Sequence, residues 1–150
     1  MIVFKYRRER GRKGATIFRP VADIEFKSVA GEWIECHSYI DSGADVTLLP
    51  LSLGRLLGLE IEKDKIEELY GLGRQGIPAI FKNVEVRIGG YEFETKIAWA
   101  LSEEVVPLLG RTDVFDNFHV NFKQDKKTIV LEWIRKRGSD KSLKTKGGQR

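Results

Sequence analysis

The sequence predicts an all-β, barrel-like domain with one or two short helices. Two observations carry that prediction. Apolar and polar residues alternate in short runs that Gly or Pro repeatedly interrupts, the period of half-buried strands. Helical apolar spacing is confined to brief stretches after Pro50 and near Asp113. No internal repeat and no long linker divides the chain.

The elements follow in order. Val21 to Val29 alternates apolar and polar residues, and Ala30-Gly31 turns the chain. Glu32 to Ile40 is a second strand that runs directly into Asp41-Ser42-Gly43. Pro50 is suited to a first helical turn, Leu51 to Leu57 has helical apolar spacing, and Gly58 is a stop. Ile66 to Tyr70 leads into the glycine-bearing segment Gly71 to Gly76, followed by an apolar run over Ile77 to Phe81. Val84 to Ile88 and Tyr91 to Trp99 read as two strands joined at Gly89-Gly90. Val105 to Leu109 is a buried-type apolar run ending at Gly110, after which Thr112 or Asp113 is placed to cap a short helix over Val114 to Phe118. A hairpin closes the domain: His119 to Lys123, a turn over Gln124 to Lys127, and Thr128 to Trp133.

A length of 150 residues fits one domain with a modest core, and 41% hydrophobic content fits a globular chain. The net charge of +4 conceals a segregation. Residues 1–20 hold seven Lys or Arg against Glu9 alone, and residues 135–150 hold seven against Asp140 alone. Of the 26 basic and 22 acidic residues in all, this leaves 12 basic and 20 acidic for residues 21–134. The expected organisation is a basic N-terminal arm (1–20), a folded acidic domain (21–134) and a basic, disordered C-terminal tail (135–150). Such arms can contact phosphate backbones or acidic partners. The plainer reading is that both are solvated, partly disordered tails, and it is preferred over nucleic-acid binding. No apolar run is long enough to cross a bilayer, and Met1 to Lys13 lacks the apolar segment of a secretory signal, so a cytoplasmic protein without membrane contact is expected. Cys36 is the single cysteine, which excludes an intrachain disulfide and a cysteine-based zinc site.

The chemistry concentrates at Tyr39-Ile40-Asp41-Ser42-Gly43-Ala44-Asp45. An apolar strand delivers a carboxylate, a small hydroxyl residue and then a glycine that lets backbone approach the carboxylate closely. Neighbouring N–H groups can then hold it in the single orientation that a general base requires. Asp-Ser-Gly alone also describes an ordinary turn. Its downstream companion changes that reading: Leu108-Leu109-Gly110-Arg111, with a glycine-bearing hairpin between the two.

These paired motifs resemble those of the retropepsins, the retroviral and retroviral-like aspartic proteases, over roughly residues 21–134. The stretch from Gly110 to Phe118 is closer in character to cellular and prokaryotic members. The resemblance implies a closed acid-protease-like β-barrel with a flap hairpin, dimerising, that acts as an aspartic endopeptidase on polypeptides without cofactor or metal. Asp41 would be the catalytic carboxylate. Ser42 would bond across the dimer, and Gly43 would contact carboxylate and substrate. Ala44 and Asp45 would line the cleft, with Arg111 pairing with Asp45. Leu108, Leu109 and Gly110 would pack beneath the Asp41 loop, and Gly71 to Gly76, with Leu72 and Gly73 toward substrate, would form the flap. Ser42 stands where Thr is common, and Arg74-Gln75 makes the flap more polar than in viral members.

One constraint is physical. This chemistry uses two carboxylates sharing a proton, because two like charges a few ångströms apart do not both ionise cheaply. A chain with one such aspartate obtains the second from an identical chain across a twofold axis. Hence a homodimer is expected, in which the Asp41/Asp41′ dyad activates a water.

Competing readings are weaker. Gly71-Leu-Gly73-Arg-Gln-Gly76 matches a dinucleotide-binding pattern, but Pro78 follows where a helix is needed. Cys36 and His37 are adjacent on a strand and so point to opposite faces. His119 is isolated, Ser42 lacks a nucleophile-elbow setting, and Asp113 and Asp116 read as helix-end residues. Trp33, Trp99 and Trp133 are expected in the core or at a dimer seam. The alternative function is a non-catalytic module that keeps the fold and binds peptides or a partner.

Overall fold

The computed structural model describes residues 1–71 and 76–134. Its centre is a barrel of six strands, β4 (Val21–Lys27), β5 (Trp33–Ile40), β6 (Thr47–Leu49), β8 (Ile77–Ile88), β9 (Tyr91–Ala100) and β10 (Leu108–Leu109). The strands neighbour one another in the order β4-β5-β10-β6-β9-β8, and a β4–β8 pairing closes the ring. The predicted all-β barrel is therefore present. Closure matters energetically, since it leaves no long open sheet edge in the ring.

Alternation in the sequence explains which side chains point inward. In β4, Ala22, Ile24 and Phe26 are fully buried while Asp23 faces solvent. In β8, Val84, Val86 and Ile88 alternate with exposed or half-buried polar residues. The last four residues of β9 are all buried, because that strand is covered on both faces. Helix α1 (Leu51–Leu56) lies against β9, with Trp99 Nε1 donating to the Leu51 carbonyl at 3.2 Å. The short strand β7 (Glu67–Leu69) pairs antiparallel with the start of β8, Leu69 opposite Ile77.

Three sequence expectations are corrected. The runs 77–81 and 84–88 belong to one twelve-residue strand, because Lys82 and Asn83 continue the ladder to β9 despite their polarity. The short helix placed over Val114 to Phe118 is instead an irregular helical turn, Arg111–Phe115. Thr112 is extended and Asp113 has a φ of 68°, neither side chain makes a capping hydrogen bond, and Phe118 already starts the next strand. The N-terminal arm is not a solvated tail. β1 (Ile2–Lys5) adds to the closing hairpin of β11 (Phe118–Lys123) and β12 (Thr128–Trp133), giving the order β1-β12-β11. β2 (Arg7–Arg10) and β3 (Thr16–Arg19) form a separate hairpin. The basic composition of this arm concealed its apolar alternation: Ile2 and Phe4 pack on the core and Tyr6 is buried.

The three-stranded sheet rests on the barrel through aromatic contacts. Trp133 stacks on Tyr91 at 4.7 Å between centroids, and Phe118 meets both edge-on. Of the tryptophans, Trp99 is fully buried, while Trp33 and Trp133 are half-buried. Among the described residues no helix is long and apolar enough to cross a membrane.

Candidate active site

β5 carries Asp41 to the point where it leaves the sheet. The strand is locked there by β10, which lies parallel to it with Leu108 opposite Tyr39 and Leu109 opposite Ile40. The Asp41 N–H donates to the Leu109 carbonyl at 3.0 Å, so the apolar pair fixes the height of the loop. On the other side of β10, Leu108 pairs with Leu48 of β6. Two short strands thus hold the carboxylate-bearing turn from both ends of its loop.

The turn is tight. The Gly43 N–H donates to Asp41 Oδ1 at 2.9 Å, and the Ala44 N–H to the Asp41 carbonyl at 3.2 Å. A side chain at position 43 would bring its Cβ to 3.2 Å from that carboxylate oxygen, so glycine leaves the oxygen unhindered. Arg111 clamps the loop from outside: Nη1 donates to the Ser42 carbonyl at 2.7 Å and Nη2 to Asp45 Oδ1, while its backbone N–H reaches the Ala44 carbonyl at 2.9 Å. A planar guanidinium suits this task, because one rigid group addresses two acceptors at once.

Gly110 lies in tight contact beneath the loop. A Cβ there would come within 2.4 Å of the Val46 carbonyl carbon and oxygen. Its N–H donates to Thr47 Oγ1 at 3.1 Å, and Thr47 is fully buried. Thr47 is the position that sequence reasoning passed over. Its signal was a hydroxyl residue heading an apolar strand, where burial demands a partner.

Asp41 borders a cavity of about 470 Å³. Pro20, Ile40, Val106 and Leu108 give it apolar walls, and Glu9, Arg19 and Tyr39 make a polar end. Tyr39 Oη donates to Glu9 Oε2 at 2.6 Å, and Arg19 Nε lies 3.0 Å from Glu9 Oε1. The bond to the Glu9 carboxylate, reinforced by desolvation, raises the Tyr39 phenol above its ordinary pKa. Glu9 and Arg19 come from the β2–β3 hairpin, so the N-terminal segment helps to form the wall beside Asp41. Only the isolation of Glu9 among seven cations marked it in the sequence.

Asp41, Ser42, Gly43, Leu108, Leu109, Gly110 and Arg111 are thus brought together, and Arg111 is paired with Asp45. Ala44 and Asp45 lie outside the lining of the cavity. Leu72 and Gly73, and with them the tip of the segment Gly71 to Gly76, lie outside the described residues. Ser42, Gly43, Asp45 and Arg111 are exposed, a polar surface beside the carboxylate. His37 lies on the outer face of β5 against Asp23, and Cys36 points inward and is buried, its thiol pKa raised by desolvation. Neither takes part in the site.

No family model and no curated protein matches the sequence. Solved structures do. A retropepsin-like aspartic protease from Rickettsia conorii superposes with a TM-score of 0.57 at 21% identity, over 87% of this chain and 99% of that one. The EIAV protease, in complex with the inhibitor HBY-793, aligns with a TM-score of 0.49 at 20% identity, over 62% of this chain and 82% of that one. The likeness to the Rickettsia protein is one of fold.

Proposed function

Taking the retropepsin-like fold as premise, we propose that the chain is an aspartic endopeptidase that works as a homodimer, with Asp41 as the one carboxylate each subunit supplies. The observation that carries the proposal is the held carboxylate. Asp41 stands at a strand end, oriented by the Gly43 N–H at 2.9 Å, beside a cavity of about 470 Å³. The exposed polar surface of Ser42, Gly43 and Arg111 supports a second copy docking there.

Chemistry follows from the pairing. Across a twofold axis Asp41 meets the partner's Asp41, and one proton is shared between them. The ionised carboxylate takes a proton from a water poised between the two, and that oxygen attacks the scissile carbonyl carbon. The protonated partner gives its proton to the carbonyl oxygen, forming a neutral tetrahedral diol. Proton transfer to the amide nitrogen then breaks the C–N bond and releases an acid and an amine. The substrate lies extended, with side chains in pockets such as that between Pro20, Ile40, Val106 and Leu108.

Incubation of the full chain with a mixed peptide library at several pH values, with and without pepstatin, tests the proposal. Pepstatin-sensitive cleavage that disappears in Asp41→Asn, with circular dichroism and dimer mass unchanged, is the expected result. Cleavage that persists in Asp41→Asn, or no cleavage of any peptide, refutes it, and the second outcome favours the non-catalytic peptide-binding module.

A further inference from the structure

The β2–β3 hairpin sorts its charges by face. Its register sets Arg8 opposite Phe18, Arg10 opposite Thr16, Arg7 opposite Arg19 and Glu9 opposite Ile17. Side chains alternate across a strand pair, so Arg8, Arg10, Thr16 and Phe18 share one face and Arg7, Glu9, Ile17 and Arg19 share the other. The second face looks to the barrel and its charges are matched. Arg7 pairs with Asp23 at 3.2 Å, Arg19 pairs with Glu9 at 3.0 Å, and Glu9 also receives Tyr39 Oη.

The first face looks away and is unmatched. Arg8 and Arg10, together with Arg12 and Lys13 at the turn, are exposed, and among the described residues no acid pairs with them. A concavity of about 340 Å³ lies along the hairpin, lined by Arg8, Glu9, Arg10, Gly14 and Thr16. Phe18 is 42% exposed in the midst of these cations, and Lys127 Nζ approaches its ring at 6.0 Å.

We propose that this outward face of the β2–β3 hairpin binds single-stranded nucleic acid. Arg8 and Arg10 are two residues apart, about 7 Å along the strand, a step comparable to that between neighbouring phosphates of an extended single strand. Arg12 and Lys13 continue the basic track, and Phe18 offers a ring on which an unpaired base stacks. A duplex buries its base faces and gains nothing from that ring. A lone phenylalanine supplies too little apolar surface to enter a membrane. The proposal is independent of catalysis: none of Arg8, Arg10, Arg12, Lys13 and Phe18 lines the cavity beside Asp41.

Fluorescence anisotropy of a labelled 20-nucleotide oligothymidylate with the full chain tests it, titrated at several salt concentrations. Binding is expected to weaken with salt, and the Arg8→Ser/Arg10→Ser double variant is expected to flatten the slope of log K against log salt by about 1.4, at about 0.7 for each phosphate released. Phe18→Ala is expected to weaken binding about tenfold with the slope unchanged. Thermal melts of the variants by circular dichroism check folding. Ultraviolet crosslinking of the unaltered chain, which needs no variant, is expected to place the adduct within residues 7–19. Unchanged binding by the double variant, or an adduct only within residues 135–150, overturns the proposal. So does a Phe18→Ala protein that binds as tightly as its parent while heparin or a duplex of equal length competes equally, which identifies a generic polyanion surface.

Discussion

Thr47 and Gly110 hold each other in place beneath the Asp41 loop, and each can be tested alone. Thr47→Val keeps the shape of the side chain but removes the acceptor for the Gly110 N–H, which is buried. Leaving a buried donor unpaired costs about 1–3 kcal/mol, so urea denaturation is expected to show that loss, with Thr47→Ser recovering most of it. Gly110→Ala is expected to cost about 2 kcal/mol or more, because its Cβ meets rigid backbone at Val46. In both variants peptide cleavage is expected to fall more than the folded fraction does, since the displaced segment also receives the Asp41 N–H through Leu109. Asp41 and Gly43 were legible because they share one contiguous motif, and Arg111 because it ends a second, Leu108-Leu109-Gly110-Arg111. Thr47 was not, because its partner lies 63 residues further along.

At the scale of elements, a charged clasp joins β4 to β8 on the outside of the barrel. Arg87 addresses both oxygens of Glu25, at 2.8 and 2.9 Å, and its guanidinium lies 4.3 Å from the centre of the Trp33 ring. The hydrogen bond from Arg87 lowers the Glu25 carboxyl below its ordinary value of 4.5. A carboxylate with a depressed folded-state pKa stabilises the fold above its unfolded value, and that contribution fades as pH falls through the folded one. Thermal melts are therefore expected to show Glu25→Gln less stable than its parent at neutral pH, with the gap closing below about pH 4. An undiminished gap at pH 3 would refute the assignment. Helix α1 offers a second test. Its Gly54 faces Trp99 so closely that a Cβ would come to 1.9 Å of the indole nitrogen. Gly54→Ala is expected to destabilise by about 1–3 kcal/mol despite the better helix propensity of alanine. The helix and most strands were readable from period alone. The continuity of β8 was not, because pairing along β9 outweighs the polar break at Lys82-Asn83.

For the whole molecule, the segregation of charge becomes spatial. The basic N-terminal segment includes a folded hairpin whose inner face neutralises one acid of the barrel, Asp23, through Arg7, and whose outer face remains cationic. The proposed dimer makes a mass-action prediction of its own. Specific activity is expected to fall on dilution, and Asp41→Asn chains mixed in tenfold excess are expected to cut the activity per active chain roughly tenfold by drawing it into mixed dimers. Activity that is independent of both dilution and the inactive chain would show that a single chain suffices, and would remove the shared-proton mechanism.

Local pattern alone determined the strand-rich character, the turn at Asp41-Ser42-Gly43 and the charge imbalance, since alternation, glycine placement and composition are properties of neighbouring residues. Outside those motifs, tertiary structure decided which distant segments meet: Thr47 under Gly110, and Glu9 with Arg19 beside Asp41. It also converted a run of cations into a hairpin with two unlike faces. The physical reason is that such contacts are fixed by barrel closure and strand register, which sum weak interactions over the whole chain and leave no mark in any short window of it.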